Sequence, residues 1–236
     1  MNTDNFKSLR VKSGLTQAEV ASLFGVSART IAGWESASPK NFTNLETMTI
    51  TQLFQPILLE RKLREMAEKA FNAIPSELIA IWIVDREECY TLPKTTRQAF
   101  TLDNNISKTI CSLLEESLTT YPLRTGETLN LSGDEILNHK AKKNKSNRAS
   151  YLFRDGLCES LLHVPGFLPS SRGPQPVILL SLENKFHNDA PDYTVIKAGP
   201  EGRNIYSGDD VATAEALVRE FKELLYEDMQ LLGMVV

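Results

Sequence analysis

The 236-residue chain predicts an α+β protein: an all-α N-terminal domain, a helical connector, and an α/β domain with a central antiparallel sheet. Three observations carry that class. Residues 1–36 hold three short, capped helix patterns and no strand-like alternation. Residues 56–74 repeat apolar positions at helical spacing. From Ser76 onward, apolar runs of strand length alternate with amphipathic stretches. At roughly 100–200 residues per domain the length accommodates two such domains. The expected boundaries are 1–54, 55–75 for the connector, and 76–236.

The first helix carries Phe6, Leu9 and Arg10 behind Thr3 or Asp4 and ends at Gly14. Thr16-Gln17-Ala18-Glu19 then reads as a capping box, the Thr16 hydroxyl facing the Glu19 amide and the Glu19 carboxylate reaching back. Val20, Leu23 and Phe24 supply the inward face of the second helix. Gly25 makes the turn where φ can be positive, Val26 plugs it, and Ser27 caps a third helix. Ile31 and Trp34, three apart, point inward, leaving Ala28, Arg29, Thr30 and Gly33 outside.

Two helices joined by a glycine-containing turn describe a helix-turn-helix. Gly14-Leu15-Thr16-Gln17-Ala18-Glu19-Val20-Ala21, Leu23-Phe24-Gly25-Val26-Ser27 and Thr30-Ile31-Ala32-Gly33-Trp34-Glu35 together resemble the Cro/lambda-repressor (XRE) family of DNA-binding domains over about 30 residues. The resemblance implies that Ser27, Ala28, Arg29, Thr30 and Gly33 face the major groove and that Thr16 and Gln17 lie near phosphates. The chemistry agrees: helix N-termini and side-chain donors suit phosphate oxygens, and an arginine can grip a guanine edge. Gly33 departs from the many relatives that carry a hydrogen-bonding side chain there, which leaves more of the readout to DNA shape.

Pro56 suits the first turn of a connecting helix over residues 56–74. Leu59, Leu63, Met66, Ala70 and Ala73 form a seam at spacings of 4, 3, 4 and 3. Such a seam serves either an amphipathic helix packed on its own domain or a two-chain coiled coil, which gives a reader of this size a partner.

Beyond Pro75, Leu78-Ile79-Ala80-Ile81-Trp82-Ile83-Val84 predicts a buried strand, and Cys89-Tyr90-Thr91-Leu92 its hairpin mate. Ile106, Ile110, Leu113, Leu114 and Leu118 predict a helix. Residues 125–131 predict a short strand, and residues 157–164 and 177–182 two more. A final amphipathic helix over residues 211–232 starts behind Ser207 and Asp209, with Ala214, Leu217, Val218, Phe221, Leu224 and Leu225 on one face.

This order resembles a GAF domain over about 160 residues. Tyr121-Pro122-Leu123-Arg124-Thr125-Gly126-Glu127-Thr128-Leu129, Glu159-Ser160-Leu161-Leu162-His163-Val164-Pro165 and Val177-Ile178-Leu179-Leu180-Ser181-Leu182-Glu183-Asn184-Lys185 are similar to three of the family's motifs. Asn184-Lys185 followed by Ile205 and Asp209-Asp210 is a partial echo of a motif in cyclic-nucleotide-binding members, and residues 186–204 form an insertion. The resemblance implies small-molecule sensing, dimerisation, or both.

Charge is asymmetric. The whole chain is −4, yet residues up to Met66 hold eight basic against six acidic side chains, and the remainder eighteen against twenty-four. An acidic total excludes a nonspecific nucleic-acid coat but not a locally basic reader. No apolar run approaches the ~20 residues of a membrane span, and residues 1–5 lack the apolar core of a secretory signal, so the expectation is a soluble, cytoplasmic protein. Cys89, Cys111 and Cys158 are odd in number, the pattern of reduced thiols.

No cofactor is expected. A bilin needs a cysteine in a family-specific setting, commonly before a histidine, but Ser112 follows Cys111 and Glu159 follows Cys158; His139, His163 and His187 have no metal-ligand spacing. No phosphate-binding glycine loop, nucleophile elbow or zinc-protease motif occurs, so no catalytic residues and no enzyme activity are expected. Lys140, Lys142, Lys143, Lys145 and Arg148 form a basic loop in an acidic domain. It reads either as a lid over an anionic ligand such as a nucleotide, with a second phosphate contact on DNA as a variant, or as a solvated loop.

The sequence therefore predicts a sequence-specific DNA-binding transcriptional regulator, homodimeric on double-stranded DNA, with a ligand-sensing or dimerising GAF domain. Two alternatives stand beside it: a protein-interaction module with weak DNA binding, and a GAF-fold thiol-dependent methionine sulfoxide reductase.

Overall fold

The computed structural model describes residues 3–36, 41–85, 88–91, 94–95, 109–114, 116–140, 158–171, 173–187, 195–198 and 205–231. The chain divides into two compact units, residues 1–64 with 224–236, and residues 65–223.

In the first unit, α1 (Thr3–Lys12), α2 (Gln17–Phe24) and α3 (Ala28–Trp34) precede the long α4 (Asn44–Ala73), which from Glu65 onward belongs to the second unit. Phe6, Leu9, Val20, Ala21, Ile31, Phe42, Ile50, Phe54 and Leu58 make one core. Phe6 sits at its centre, its ring 5.4–6.2 Å from those of Phe24, Trp34, Phe42 and Phe54. Aromatic rings at such separations add to the roughly 1.5–3 kcal/mol that burying each large apolar side chain contributes. One inward residue differs from expectation. Ala21, 4 % exposed, joins Val20 in the core, while Leu23 is 46 % exposed, because the eight-residue helix turns only a narrow stripe inward.

The connecting helix starts earlier than Pro56. Thr43 and Glu46 form a second capping box: the Thr43 amide and hydroxyl donate to Glu46 Oε2 at 2.8 and 3.0 Å, and the Glu46 amide donates to Thr43 Oγ1 at 3.2 Å. Pro56 lies inside the helix. Its ring removes one ladder hydrogen bond but leaves the remaining turns intact. Of the expected seam, Leu63, Met66 and Ala70 are already buried within the single chain, Leu59 is half-buried and Ala73 is exposed.

The second unit is built on an antiparallel sheet. Among the described residues its strands are β1 (Ser76–Asp85), β2 (Glu88–Thr91), β3 (Lys94–Thr95), β4 (Thr109–Ser112), β5 (Leu129–Ser132), β6 (Ser160–Leu168) and β7 (Gln175–Lys185). The order across the sheet is β4-β2-β1-β7-β6-β5, with β3 pairing β1 off that path. α5 (Thr120–Thr125) and α6 (Asp134–Asn138) are short, and α7 (Gly208–Leu231) closes the chain's described part. The α+β class expected from sequence is the class observed.

The helix expected from Ile106, Ile110, Leu113, Leu114 and Leu118 is not what forms over its described residues. Thr109–Ser112 pairs with β2 as a strand, and a turn at Leu113 and Leu114 leads on towards α5. Residue 106 lies outside the described residues. The apolar spacing suits both periods, and pairing with an adjacent strand overrides it. The strands expected over residues 157–164 and 177–182 form and run longer, while the one expected over 125–131 is only Leu129–Ser132, because Thr125 ends α5 and Gly126 caps that helix at φ 79°. Gly166 faces Ile178 across β6 and β7; a Cβ there would stand 2.7 Å from Val218 Cγ1 of α7 and 2.6 Å from Ile178 Cγ2. Only glycine allows that close packing of α7 on the sheet.

Candidate nucleic-acid interface

α2 and α3 are fixed by local chemistry before any partner arrives. The Thr16 amide and hydroxyl donate to Glu19 Oε2 at 2.7 and 2.8 Å, and the Glu19 amide returns a bond to Thr16 Oγ1 at 3.2 Å. The first of these bonds, reinforced by the hydroxyl, holds the Glu19 carboxyl below its usual range. Gly25 ends α2 at φ 65°, and the Val26 amide closes on Ala21 O at 2.9 Å. Ser27 then caps α3: its Oγ accepts from the Thr30 amide at 3.1 Å and lies 2.9 Å from Thr30 Oγ1.

Beneath the two helices, Arg10 of α1 holds Glu35 with two bonds, Nε to Oε1 at 2.6 Å and Nη2 to Oε2 at 3.0 Å. Its Nη1 donates to Leu15 O at 2.8 Å, and Gln17 Nε2 donates to Glu35 Oε2 at 2.9 Å. The side chains of Arg10 and Glu35 are 14 % and 3 % exposed, so the pair is largely desolvated. Burial alone pushes the Glu35 carboxyl up. The hydrogen bonds from Arg10 and Gln17, with the charges of Arg10 and Lys7, outweigh it and hold that carboxyl below its usual range. Hydrogen bonding to Glu35 raises the Arg10 guanidinium against its own burial. The fork fixes α1, the start of α2 and the end of α3 at one point. Nothing local in the sequence marks Arg10 and Glu35 for this role; their separation of 25 residues carries no periodicity.

The residues expected at the groove lie on that frame. Ser27, Ala28, Arg29 and Gly33 are exposed, Thr30 is half-buried against its bond to Ser27, Thr16 is exposed at the α2 N-terminus, and Gln17 is half-buried against Glu35. A Cβ added at Gly33 would meet nothing within 4 Å. One amide hydrogen of Gln17 serves Glu35, and a primary amide nitrogen carries a second that can donate elsewhere.

In the second unit, one face of the sheet carries Ala80, Trp82, Val84, Leu123 and Leu179 as a buried cluster, with Leu113 packed on it. The Trp82 indole N–H is buried with no acceptor among the described residues. His163, fully buried, faces Leu118 O through Nδ1 at 3.1 Å and Ser181 Oγ through Nε2 at 2.6 Å. The carbonyl can only accept, so Nδ1 carries the proton and Nε2 accepts from Ser181. Burial lowers this imidazole to about 4, against the raising effect of the Leu118 carbonyl. Asn184, at φ 56°, accepts the amides of Glu159 and Ser160 at 2.7 and 3.4 Å and donates to Glu77 Oε2 at 2.8 Å. Lys185 Nζ reaches Asp210 Oδ2 at 2.5 Å, joining the two ends of the partial Asn-Lys…Asp-Asp echo. These roles are structural.

Of the basic loop, only Lys140 lies among the described residues. Its Nζ stands 4.9 Å from the centre of the Tyr121 ring, and hydrogen bonding to the Tyr121 side chain raises its ammonium. Lys142, Lys143, Lys145 and Arg148 lie outside the described residues. Cys158 packs against the cluster of Leu118, Tyr121, Leu129, Ile136 and Leu161, where burial first and the Glu183 carboxylate second push its thiol far above the usual range; its Sγ lies 3.5 Å from Ser160 O. A thiol held protonated is a poor nucleophile.

Residues 6–48 match the family model described as helix-turn-helix. The N-terminal unit is a helix-turn-helix domain. No curated protein matches the chain. Among solved structures, the GAF domain/HD domain protein from Geobacter sulfurreducens is similar at 16 % identity and a TM-score of 0.44, over 72 % of this chain and 93 % of that one. The GAF domain of a two-component sensor histidine kinase from Bacillus halodurans is similar at 18 % identity and 0.40, over 72 % and 97 %. The Thermotoga maritima IclR is similar at 11 % identity and 0.34, over 96 % and 97 %.

Proposed function

We propose that this protein is a cytoplasmic, sequence-specific DNA-binding transcriptional regulator and not an enzyme. The division is a reader over residues 1–54, a connector over 55–75 and a GAF-like sensor or dimerisation domain over 76–236. The observation that carries the reading is the outward face of α3: Ser27, Ala28, Arg29 and Gly33 are exposed on a helix whose inner face and both ends are fixed. A rigid helix offering short side chains and one guanidinium suits the major groove, with Thr16 and Gln17 at the phosphates of the α2 N-terminus.

The active form is a homodimer on double-stranded DNA. Two recognition helices must stand about 34–36 Å apart to enter successive major grooves. Much of the connector's apolar seam is occupied within one protomer, so the two copies meet through other surfaces. A small ligand, anionic and of nucleotide kind if the basic loop takes part, then acts by linkage: it prefers one dimer geometry and thereby changes operator affinity.

The test is binding to DNA from the protein's own upstream region at fixed salt. Arg29→Ala should weaken specific binding by about 1–3 kcal/mol, roughly 5- to 150-fold, and relax preference at one base pair. Binding that is unchanged by Arg29→Ala removes Arg29 from base readout. A protein that ignores every duplex at low salt leaves the interaction-module alternative in its place.

A further inference from the structure

In the antiparallel pairing of β2 with β4, Cys89 stands directly opposite Cys111. In the pairing of β1 with β2, Val84 stands opposite Cys89. Val84, Cys89 and Cys111 therefore form one row across three adjacent strands. Directly opposed residues of an antiparallel pair share a face and have Cα atoms about 4.5–5.5 Å apart. Disulfides span Cα separations of about 4.4–6.8 Å. The backbone alone thus places two of the chain's three cysteines at bridging distance, although 21 residues separate them in sequence.

We infer that Cys89 and Cys111 form a reversible cross-strand disulfide, and that this pair is a redox modification site of the protein. The oxidant is a hydroperoxide. One thiolate attacks the peroxide oxygen, becoming a sulfenic acid and releasing an alcohol, or water when the oxidant is hydrogen peroxide. The second thiolate attacks the sulfenic sulfur, the S–S bond forms, and hydroxide leaves and takes up a proton as water. Two thiols lose two electrons and two protons, and the peroxide bond is reduced. A small-molecule dithiol reverses the bond by exchange. A reduced compartment keeps such a pair open at rest, which is the setting in which intracellular disulfides act as sensors.

The position gives the bond a mechanical consequence. β4 ends the strand order, held in the sheet through β2. Two residues beyond Cys111, Leu113 packs on the cluster of Ala80, Trp82, Val84, Leu123 and Leu179. Val84, from the row of the two cysteines, belongs to that cluster, as does Trp82, whose indole N–H has no acceptor among the described residues. A disulfide fastens β4 to β2 and thereby fixes the strand that delivers Leu113 to this face of the sheet.

The test uses the full-length chain and its Cys158→Ala form, each treated with hydrogen peroxide, alkylated, and mapped without reductant. The expected result is a loss of two hydrogens from the intact mass, a peptide containing Cys89 joined to one containing Cys111, and reversal by dithiothreitol. Amide exchange in β2 and β4 should slow in the oxidised wild-type chain, a readout that needs no variant. Cys89→Ser and Cys111→Ser should each abolish the two-hydrogen loss. Oxygen added to separate cysteines, a covalent dimer, a bond to Cys158, or both thiols alkylated after peroxide treatment would overturn the inference.

Discussion

The two units handle polarity in opposite ways. The helix-turn-helix unit surrounds Phe6 with aromatic rings and keeps its principal described ionic network, Arg10 with Glu35 and Gln17, at the rim of that core. The C-terminal unit threads polar groups through its interior: His163 between Leu118 and Ser181, and Asn184 among Glu159, Ser160 and Glu77. A rim network aims a surface, because its members touch three helices that must present one face. An interior network aims nothing outward; it fixes which strands pair and how tightly. Each unit should therefore fail differently when its network is cut.

The largest effect is expected inside the sheet. His163→Leu leaves the Leu118 carbonyl and the Ser181 hydroxyl without their partner and should cost about 2–4 kcal/mol, read as faster amide exchange in β6 and β7. The wild-type histidine also gives the unit a pH signature. Its folded value of about 4 lies below the ordinary 6.5, so the folded form disfavours the proton. That contribution is complete above pH 6.5 and is lost as pH falls from 6.5 towards 4, by up to about 3 kcal/mol. The variant should show a flatter profile across that window. An unchanged slope would mean that other groups set it.

The rim network should respond less, and in more acid solution. Glu35→Gln keeps the size of the side chain but leaves the Arg10 guanidinium without its carboxylate. Since that guanidinium retains some solvent and its bond to Leu15 O, the cost should be about 1.5–3 kcal/mol. The folded Glu35 carboxyl titrates below the ordinary 4.5, so its contribution is present above that pH and lost as pH falls below it. Acid titration followed by amide exchange should thus loosen β6 and β7 first and α1 to α3 later. The reverse order would contradict the assignment of the two networks.

How much of this was legible in the sequence follows the range of each interaction. The capping box at Thr16, the turn at Gly25, the cap at Ser27 and the inward pair Ile31 and Trp34 involve neighbours within a few residues, and all are found. The box at Thr43 is equally local but was overshadowed by Pro56, which reads as a helix start and stands inside one. Long-range features left no such trace. Arg10 and Glu35 meet only because α1 and α3 pack. Asn184 meets Glu77 across 107 residues. Thr109–Ser112 becomes a strand because β2 lies beside it. Cys89 and Cys111 were visible as residues, but their opposition is a property of register.

The smallest effect sharpens the comparison at the surface. Gly33 lies in α3, outside the left-handed region, and a Cβ there would meet nothing within 4 Å. Replacing it by alanine removes backbone freedom from the unfolded chain and adds helix propensity, so Gly33→Ala should stabilise the reader by about 0.5–1 kcal/mol, read as a rise of a few degrees in its unfolding temperature. Gly33→Asn gains less propensity but places a hydrogen-bonding group on the exposed face, so it should leave folding intact while altering sequence preference on DNA. If alanine destabilises the reader, the outer face of α3 is already packed against something and is not open for a groove. If both variants fold and bind with unchanged preference, position 33 lies outside the contact and readout rests on Arg29 and its neighbours at the start of the helix.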